Sequence, residues 1–591
     1  MFNYKWGLLK NLNVIGLLVC CCTAVQGQFY LRGLVTDEGK KPVFHATIRL
    51  HSRNLVYYSG SDGTFGIELI KRTDTLTISK DEYETVTLAI NAGVFQHIVL
   101  PNVFGTVKIS QARLVSITKN LTKGEQLNWS IGSETYSALV ENDFVEAYRY
   151  PRTGFAVNND KASYSNIRRF LGMGSPVPPD AVRTDEVLNY FDFRYQHPMG
   201  DSLFTVSSLL SDCPWNNRSK LLYLQANARK LDPARIPPSN LVFLIDVSGS
   251  MDMPNRLPLL KSGFKLLVNN LRPIDTVSIV VYGSTVGVWL PPTSGAEKDS
   301  IRRSIEQLIP GGATPGGSGI VSAYRLAKSL FITGGNNRVI LATDGDFNVG
   351  QSSDEELERL ITAHRQSGIY LSCLGVGMGN YKDSKLQLMA RKGNGNFAYI
   401  DNEAEAEKVL VKEWTQTLYS VADDVYLDMI FDTAVVQSYR LIGYDNKRKA
   451  VLDSTSRISG GEVGSGHSLL ALFEVRLRDT TYLDRAPYAV PGRLELTYHN
   501  PGDTVDRSLV LSSHAPYLSF SQIDRSYQFA ATLVLFCSLL KNSRYTGGMN
   551  FTDVYTQAQH CIDPSNALQQ EFLQLVDQAR RIYGRKRKRK E

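Results

Sequence analysis

The feature that most constrains this chain is an unbroken apolar run, residues 241–245 (LVFLI), that stops on Asp246 and continues as VSGSM. An apolar run without alternation suits a strand buried on both faces, as in a parallel sheet covered by helices. Asp246, Ser248 and Ser250 then fall at and just past its C-terminal end, where open α/β sheets bind ligands. A carboxylate and two hydroxyls at alternate positions, gathered by the turn that Gly249 permits, make a hard oxygen cluster of low charge. Such a cluster suits Mg²⁺, which keeps several waters and takes few protein carboxylates. Taken alone, the same residues describe an ordinary Asp/Ser turn.

Two later stretches supply oxygen where such an ion needs it. Residues 311–317 (GGATPGG) offer Thr314 in a loop before a helix, and residues 338–343 (RVILAT) form a second buried strand that runs into Asp344. The order D-x-S-x-S, then Thr, then Asp resembles the metal-ion-dependent adhesion site of von Willebrand factor type A domains. The resemblance implies that Asp246, Ser248, Ser250, Thr314 and Asp344 hold the ion, with Thr314 bound directly or through water and one position left for a partner's carboxylate. It implies Mg²⁺, with Mn²⁺ or Ca²⁺ as alternatives. One departure is Ala313-Thr314-Pro315, where many relatives have serine before the threonine and no proline after it. Proline stiffens the loop, but the hydroxyl is retained.

Strands and amphipathic helices alternate over residues 238–415, the sign of a doubly wound, Rossmann-like parallel sheet. Leu257, Leu260, Phe264, Leu267 and Leu271 recur at spacings of three and four and mark a buried helix face. The glycines of 311–319 are not followed by Gly-Lys-Ser/Thr, so a phosphate loop is not expected.

The expected fold class is therefore multidomain: this α/β domain, a β-sandwich before it and a β-plus-helix domain after it. Residues 28–101 read as short strands between turn clusters such as Asp62-Gly63. Their Gly33-x-Val35, Pro42, Ala46, Asp62-Gly63-x-Phe65 and Leu76-x-Ile78 resemble the carboxypeptidase-regulatory-like domain, a family that adds structure and no catalytic residues. Residues 102–131 read as a linker. Residues 132–230, with DKASYSN at 160–166 and CPWN at 213–216, resemble the N-terminal region of one bacterial class of type A proteins. Residues 416–583 resemble the uncharacterised C-terminal domain of the same class, through RLIGY at 440–444 and GSGH at 464–467. Within that domain, 529–540 and 566–583 read as buried helices, and 584–591 as a solvated basic tail.

Lys5 and Lys10 before the apolar stretch 14–19, with small residues at 25–27, read as a signal peptide over 1–27. Export to the periplasm or cell surface follows. A lipoprotein anchor at Cys20 is less favoured, because Val19 stands where a lipobox wants a small residue. Cleavage leaves Cys213, Cys373, Cys537 and Cys561, too few for a disulfide framework. Their redox state stays open, with Cys537–Cys561 as the one pairing considered.

The formal charge of +7 lies in Lys5, Lys10 and the tail RKRKRKE, which leaves the body neutral. A neutral body argues against nucleic acid as a partner. The run 529–540 is too short to span a bilayer, so the mature chain is expected to have no transmembrane helix, and its tail allows peripheral envelope association. No His-Glu-x-x-His, Gly-x-Ser-x-Gly or Walker loop is present, and no enzyme is expected. The reading is an exported cell-envelope protein that binds a partner's Asp or Glu through a metal ion. The alternatives are a metal-dependent hydrolase and a scaffold with a vestigial site.

Overall fold

The computed structural model describes residues 29–101 and 134–587 with short gaps; the longest lie within 194–201 and at 312–315, 346–353, 445–460 and 480–487. The signal-peptide and linker readings fall outside the described residues, as does Thr314.

The central α/β domain is built on strand β1, Ser239–Asp246, every residue of which is buried. Its flanking elements are helix α1 (Leu257–Val268), strands β2 (Thr276–Tyr282) and β3 (Val286–Ser294), helices α2 (Lys298–Glu306) and α3 (Gly316–Ser329), strand β4 (Asn336–Thr343), helix α4 (Asp354–Gln366), strand β5 (Ile369–Val376), helix α5 (Asp383–Lys392) and strand β6 (Phe397–Ile400). The sheet order is β3-β2-β1-β4-β5-β6, parallel except for the edge pair β2–β3. Side chains of β1 alternate between two cores. Leu241, Phe243 and Ile245 pack with Leu257, Leu260 and Phe264 of α1 on one face. Val242 and Leu244 pack with Ile320 and Tyr324 of α3 and Ile361 of α4 on the other. Burying a side chain of this size contributes about 1.5–3 kcal/mol, so the apolar run of β1 is satisfied only when both faces are covered. The chain reverses its strand order between β1 and β4, the switch point at which such sheets open a crevice.

Residues 29–100 form a separate β unit of a three-stranded and a four-stranded sheet around Leu31, Val35, Ile48, Ile67 and Ile78. That agrees with the expected β-sandwich.

Strand pairing joins the regions read as 132–230 and 416–583. Strands Phe204–Asp212 and Lys220–Ala228 share a sheet with Val436–Ile442, Ser468–Leu477 and Ala515–Leu518. Arg152–Ala156 pairs with Ser420–Phe431 in the facing sheet. The two segments thus build one β-sandwich with a common core that includes Phe155, Leu222, Leu427 and Phe473. The α/β domain is inserted between Lys220–Ala228 and Ser420–Phe431. Sequence patterns are local, and a sheet assembled from strands roughly 250 residues or more apart leaves no local mark.

Helices Ala162–Gly172, Arg525–Leu540, Phe551–Cys561 and Ala567–Arg587 cover this sandwich through a second core containing Phe191, Phe529, Phe536 and Phe572. Phe551–Cys561 is an additional helix, capped by a reciprocal Asn550/Asp553 box. The last helix extends to Arg587, so the basic tail is shorter than the sequence suggested. Among the described residues no helix is long and apolar enough to cross a membrane. All four described cysteines are buried free thiols, and Cys561 Sγ lies 3.6 Å from Thr532 Oγ1 rather than on Cys537.

The inserted domain is fastened to the sandwich by charge. Arg338, at the start of β4, meets Glu462 at 2.6 Å, with side chains 0% and 3% exposed. Burial raises the Glu462 carboxyl and Arg338 pulls it back, leaving it at about 7. Arg183 bonds Asp383 of α5 at 2.7 Å. Lys161 and Lys408 both reach Glu413 at 2.9 Å. Burial alone would raise Glu413, but the two ammonium groups hold it down at about 2. Asp160 accepts the Phe397 N–H at 3.1 Å.

Candidate metal centre

The C-terminal rim of the sheet collects the residues that the sequence singled out. Asp246 ends β1 and is fully buried. Its Oδ1 accepts the Ser248 N–H at 2.9 Å, which turns the chain back over the strand end. That turn brings the Ser248 and Ser250 hydroxyls to 3.0 Å, the spacing of two ligands on one ion. Ser248 is buried and Ser250 exposed, so the pair lies at the floor and lip of a surface site. Across the switch point, Asp344 follows β4 and is buried. Gly345 beside it has φ +93°, a conformation that glycine alone adopts freely.

The two carboxylates feel each other. Burial and the charge of Asp344 push Asp246 up, hydrogen bonds from Ser248 and Thr343 oppose this, and the Asp246 carboxyl stands at about 7. A cation bound beside Asp246 relieves the burial and like charge that raise it, and the neighbouring oxygens are hydroxyls. An all-oxygen set with two carboxylates suits a hard divalent ion. Among the described residues no group of three or more His, Cys, Asp and Glu side chains is placed to hold a metal ion. Gly311 N donates to Val247 O at 2.7 Å, which ties the chain just before residue 312 to the chain just after β1.

Three further residues complete the arrangement. Thr343 Oγ1 donates to Asp246 Oδ2 at 2.9 Å and accepts from Gly345 N at 3.2 Å. Tyr282 OH donates to the same Oδ2 at 3.2 Å. Both were findable: Tyr282 pairs with Asp246 in register across β1 and β2, and Thr343 directly precedes Asp344. The third, Arg256, donates from Nη1 to Asp344 Oδ2 at 2.5 Å and to Ser250 O at 2.6 Å, and from Nη2 to Met378 O at 2.8 Å. Its one sequence signal is physical. Arg256 caps the N-terminus of α1, which has no acid in its first turn, against the helix dipole.

Comparison with known proteins agrees with this geometry. The model of the von Willebrand factor type A domain matches residues 240–413, the interval that holds Asp246, Ser248, Ser250 and Asp344. Residues 240–413 form a von Willebrand factor type A domain. A second model, described as von Willebrand factor, matches residues 130–223, and one described as the C-terminal part of the uncharacterised protein YfbK matches 416–582. The uncharacterised protein YfbK of Escherichia coli K12 is 39% identical over 372 residues, 61% of this chain and 65% of that protein. The chain thus spans somewhat less than two thirds of that relative. Human inter-alpha-trypsin inhibitor heavy chain H2 is 28% identical over 174 residues, 28% of this chain and 18% of its own length. The magnesium-chelatase 67 kDa subunit of Chlorobaculum tepidum is 29% identical over 186 residues, 29% of each chain.

Among solved structures, von Willebrand factor type A from Catenulispora acidiphila is 14% identical, covering 64% of this chain and 93% of that one with a TM-score of 0.36. Proximal thread matrix protein 1 from the mussel byssus, with a zinc-occupied MIDAS motif, is 24% identical over 30% and 45% of the two chains with a TM-score of 0.26. No enzyme family is indicated by the family models.

His467 and His364 take no part in these contacts. His467 is buried in the turn before Ser468–Leu477 with its ring lowered to about 3 by burial and by Lys161. His364 stacks on Tyr324 at 4.2 Å.

Proposed function

We propose that this chain is an exported cell-envelope protein that binds a partner protein through a divalent ion, Mg²⁺ first, at the rim of its type A domain. Asp246, Ser248, Ser250 and Asp344, with Thr314, would hold the ion, and a partner's Asp or Glu would complete its coordination. The supporting observation is the placement of two hydroxyls 3.0 Å apart between two buried carboxylates on an exposed rim. The ion supplies a compact double charge, and neutral serine ligands leave it unquenched for an incoming carboxylate. The mechanism is coordination rather than turnover. An enzymatic reading needs a base or nucleophile beside the site, whereas Tyr282, Thr343 and Arg256 there hold the carboxylates.

Calorimetric titration of the chelator-stripped full chain with Mg²⁺ and Mn²⁺, beside Asp246→Ala, tests this reading. Binding by the unaltered chain and none by the variant is the expected result. Equal heats from both, or a silent unaltered chain that stays silent with acetate added as a stand-in carboxylate, would remove it.

A further inference from the structure

Arg256 is the one element of the rim that the metal-binding reading does not need. Its side chain is only 9% exposed where it meets Asp344. The guanidinium is fixed by three contacts from two of its nitrogens, to Asp344 Oδ2, Ser250 O and Met378 O, while its buried Nε finds no hydrogen-bond partner among the described residues. Its own N–H bonds Met253 O at 2.9 Å. One side chain thus ties the loop after β1, the end of β4 and the loop after β5.

This arrangement is costly for stability alone. A guanidinium is expensive to bury unless its donors are well satisfied, and a positive charge at a helix N-terminus opposes the macrodipole. The loop after β5 is nonetheless shaped around it. Gly377 has φ +79°, and a Cβ there would lie 2.5 Å from Arg256 Nε and 2.8 Å from its Cγ. An apolar side chain would fill this space more cheaply, so the charge itself needs a reason.

The charge count at the site supplies one. The described side chains that meet there are two carboxylates, two serine hydroxyls and one guanidinium, which stays protonated at any working pH. Their formal sum is one negative charge, where two carboxylates alone would give two. A divalent ion entering this site leaves one positive charge in excess, and one oxygen of Asp344 is already engaged.

We propose that Arg256 is the built-in counter-cation of the metal site: it loosens the grip on the bare ion and keeps the loaded site positive for an anionic carboxylate of the partner. This inference rests on the metal-binding reading above. It makes Arg256 a positioning residue acting through Asp344, and it makes ion and partner bind cooperatively, each favouring the other.

The test is Mn²⁺ affinity of the chelator-stripped full chain, by calorimetry and by the electron paramagnetic resonance signal of free Mn²⁺, with and without acetate as the carboxylate probe. Arg256→Gln is expected to tighten Mn²⁺ by about tenfold or more, the scale of a unit charge beside a divalent ion, and to abolish the gain from acetate. Arg256→Lys, which keeps the charge, is expected to stay within about threefold of the unaltered chain, since a compact ammonium preserves the Coulomb effect. Gly377→Ala, which displaces the guanidinium without removing it, is a second route to the same tightening should Arg256→Gln fail to fold by circular dichroism. Equal or weaker Mn²⁺ binding in a folded Arg256→Gln or Gly377→Ala chain overturns the inference and leaves the metal site standing. Binding by no version of the chain overturns both.

Discussion

Strand β4 meets a buried arginine–carboxylate pair at each end, and the two pairs differ in what surrounds them. At its start, Arg338 is closed against Glu462 of the sandwich with both side chains almost fully buried. Just past its end, Asp344 is held by Arg256 beside Ser250, which is exposed. The chemistry is the same, but only the second pair lies beside an exposed residue of the chain. A pair shut on all sides fixes where the domain sits; a pair at an open rim leaves its carboxylate available to other cations.

The comparison is sharpened first at the closed end. Arg338→Met leaves Glu462 buried without its partner, and a loss of about 3–5 kcal/mol is expected, measured by urea unfolding. The double change Arg338→Met with Glu462→Leu should recover most of it, because a buried ion pair can be replaced by apolar packing. A small loss in the single variant would break the distinction between the two ends.

A second closed contact carries a pH signature. Glu413, held at about 2 by Lys161 and Lys408, titrates lower folded than unfolded. Its contribution is therefore complete above the unfolded value near 4.5 and disappears as pH falls towards 2. Glu413→Gln should cost about 2–3 kcal/mol at pH 7, and the gap to the unaltered chain should close in acid. A gap that stays constant between pH 5 and about 2 contradicts the assignment.

At the open end the expected effects on folding are smaller. Thr343→Val removes a donor to Asp246 and the acceptor for Gly345 N–H, with an expected loss of about 1–2 kcal/mol and a several-fold weaker Mg²⁺ affinity. Tyr282→Phe, which loses only the 3.2 Å contact to Asp246, should cost about 0.5–1 kcal/mol. If either exceeds the loss at Arg338, the open end is as closed as the other.

Much of this was legible in the sequence because the type A domain is written locally. The apolar run of β1 ends on its ligand, the α1 stripe from Leu257 to Phe264 is buried as its spacing predicts, and Asp344 closes β4. The resemblance found Asp246, Ser248, Ser250 and Asp344, and the fold brings them to one rim. Arg256 was missed because its role depends on Asp344, 88 positions away. The sandwich was missed for a similar reason: Lys220–Ala228 pairs with Ser468–Leu477, and alternation tells that a strand exists without telling its neighbour. Asp160 and Glu413 take partners from distant segments, which no local pattern announces.

The insertion of the type A domain within the sandwich has a mechanical consequence. The chain enters β1 from Lys220–Ala228 and leaves through Trp414–Leu418 into Ser420–Phe431, so both of its connections are rooted in one body. Tension applied to a partner clasped at the rim would divide between two covalent tethers running side by side. The sandwich would take that load through strands paired in its two sheets, along their length, where many backbone hydrogen bonds must give way together.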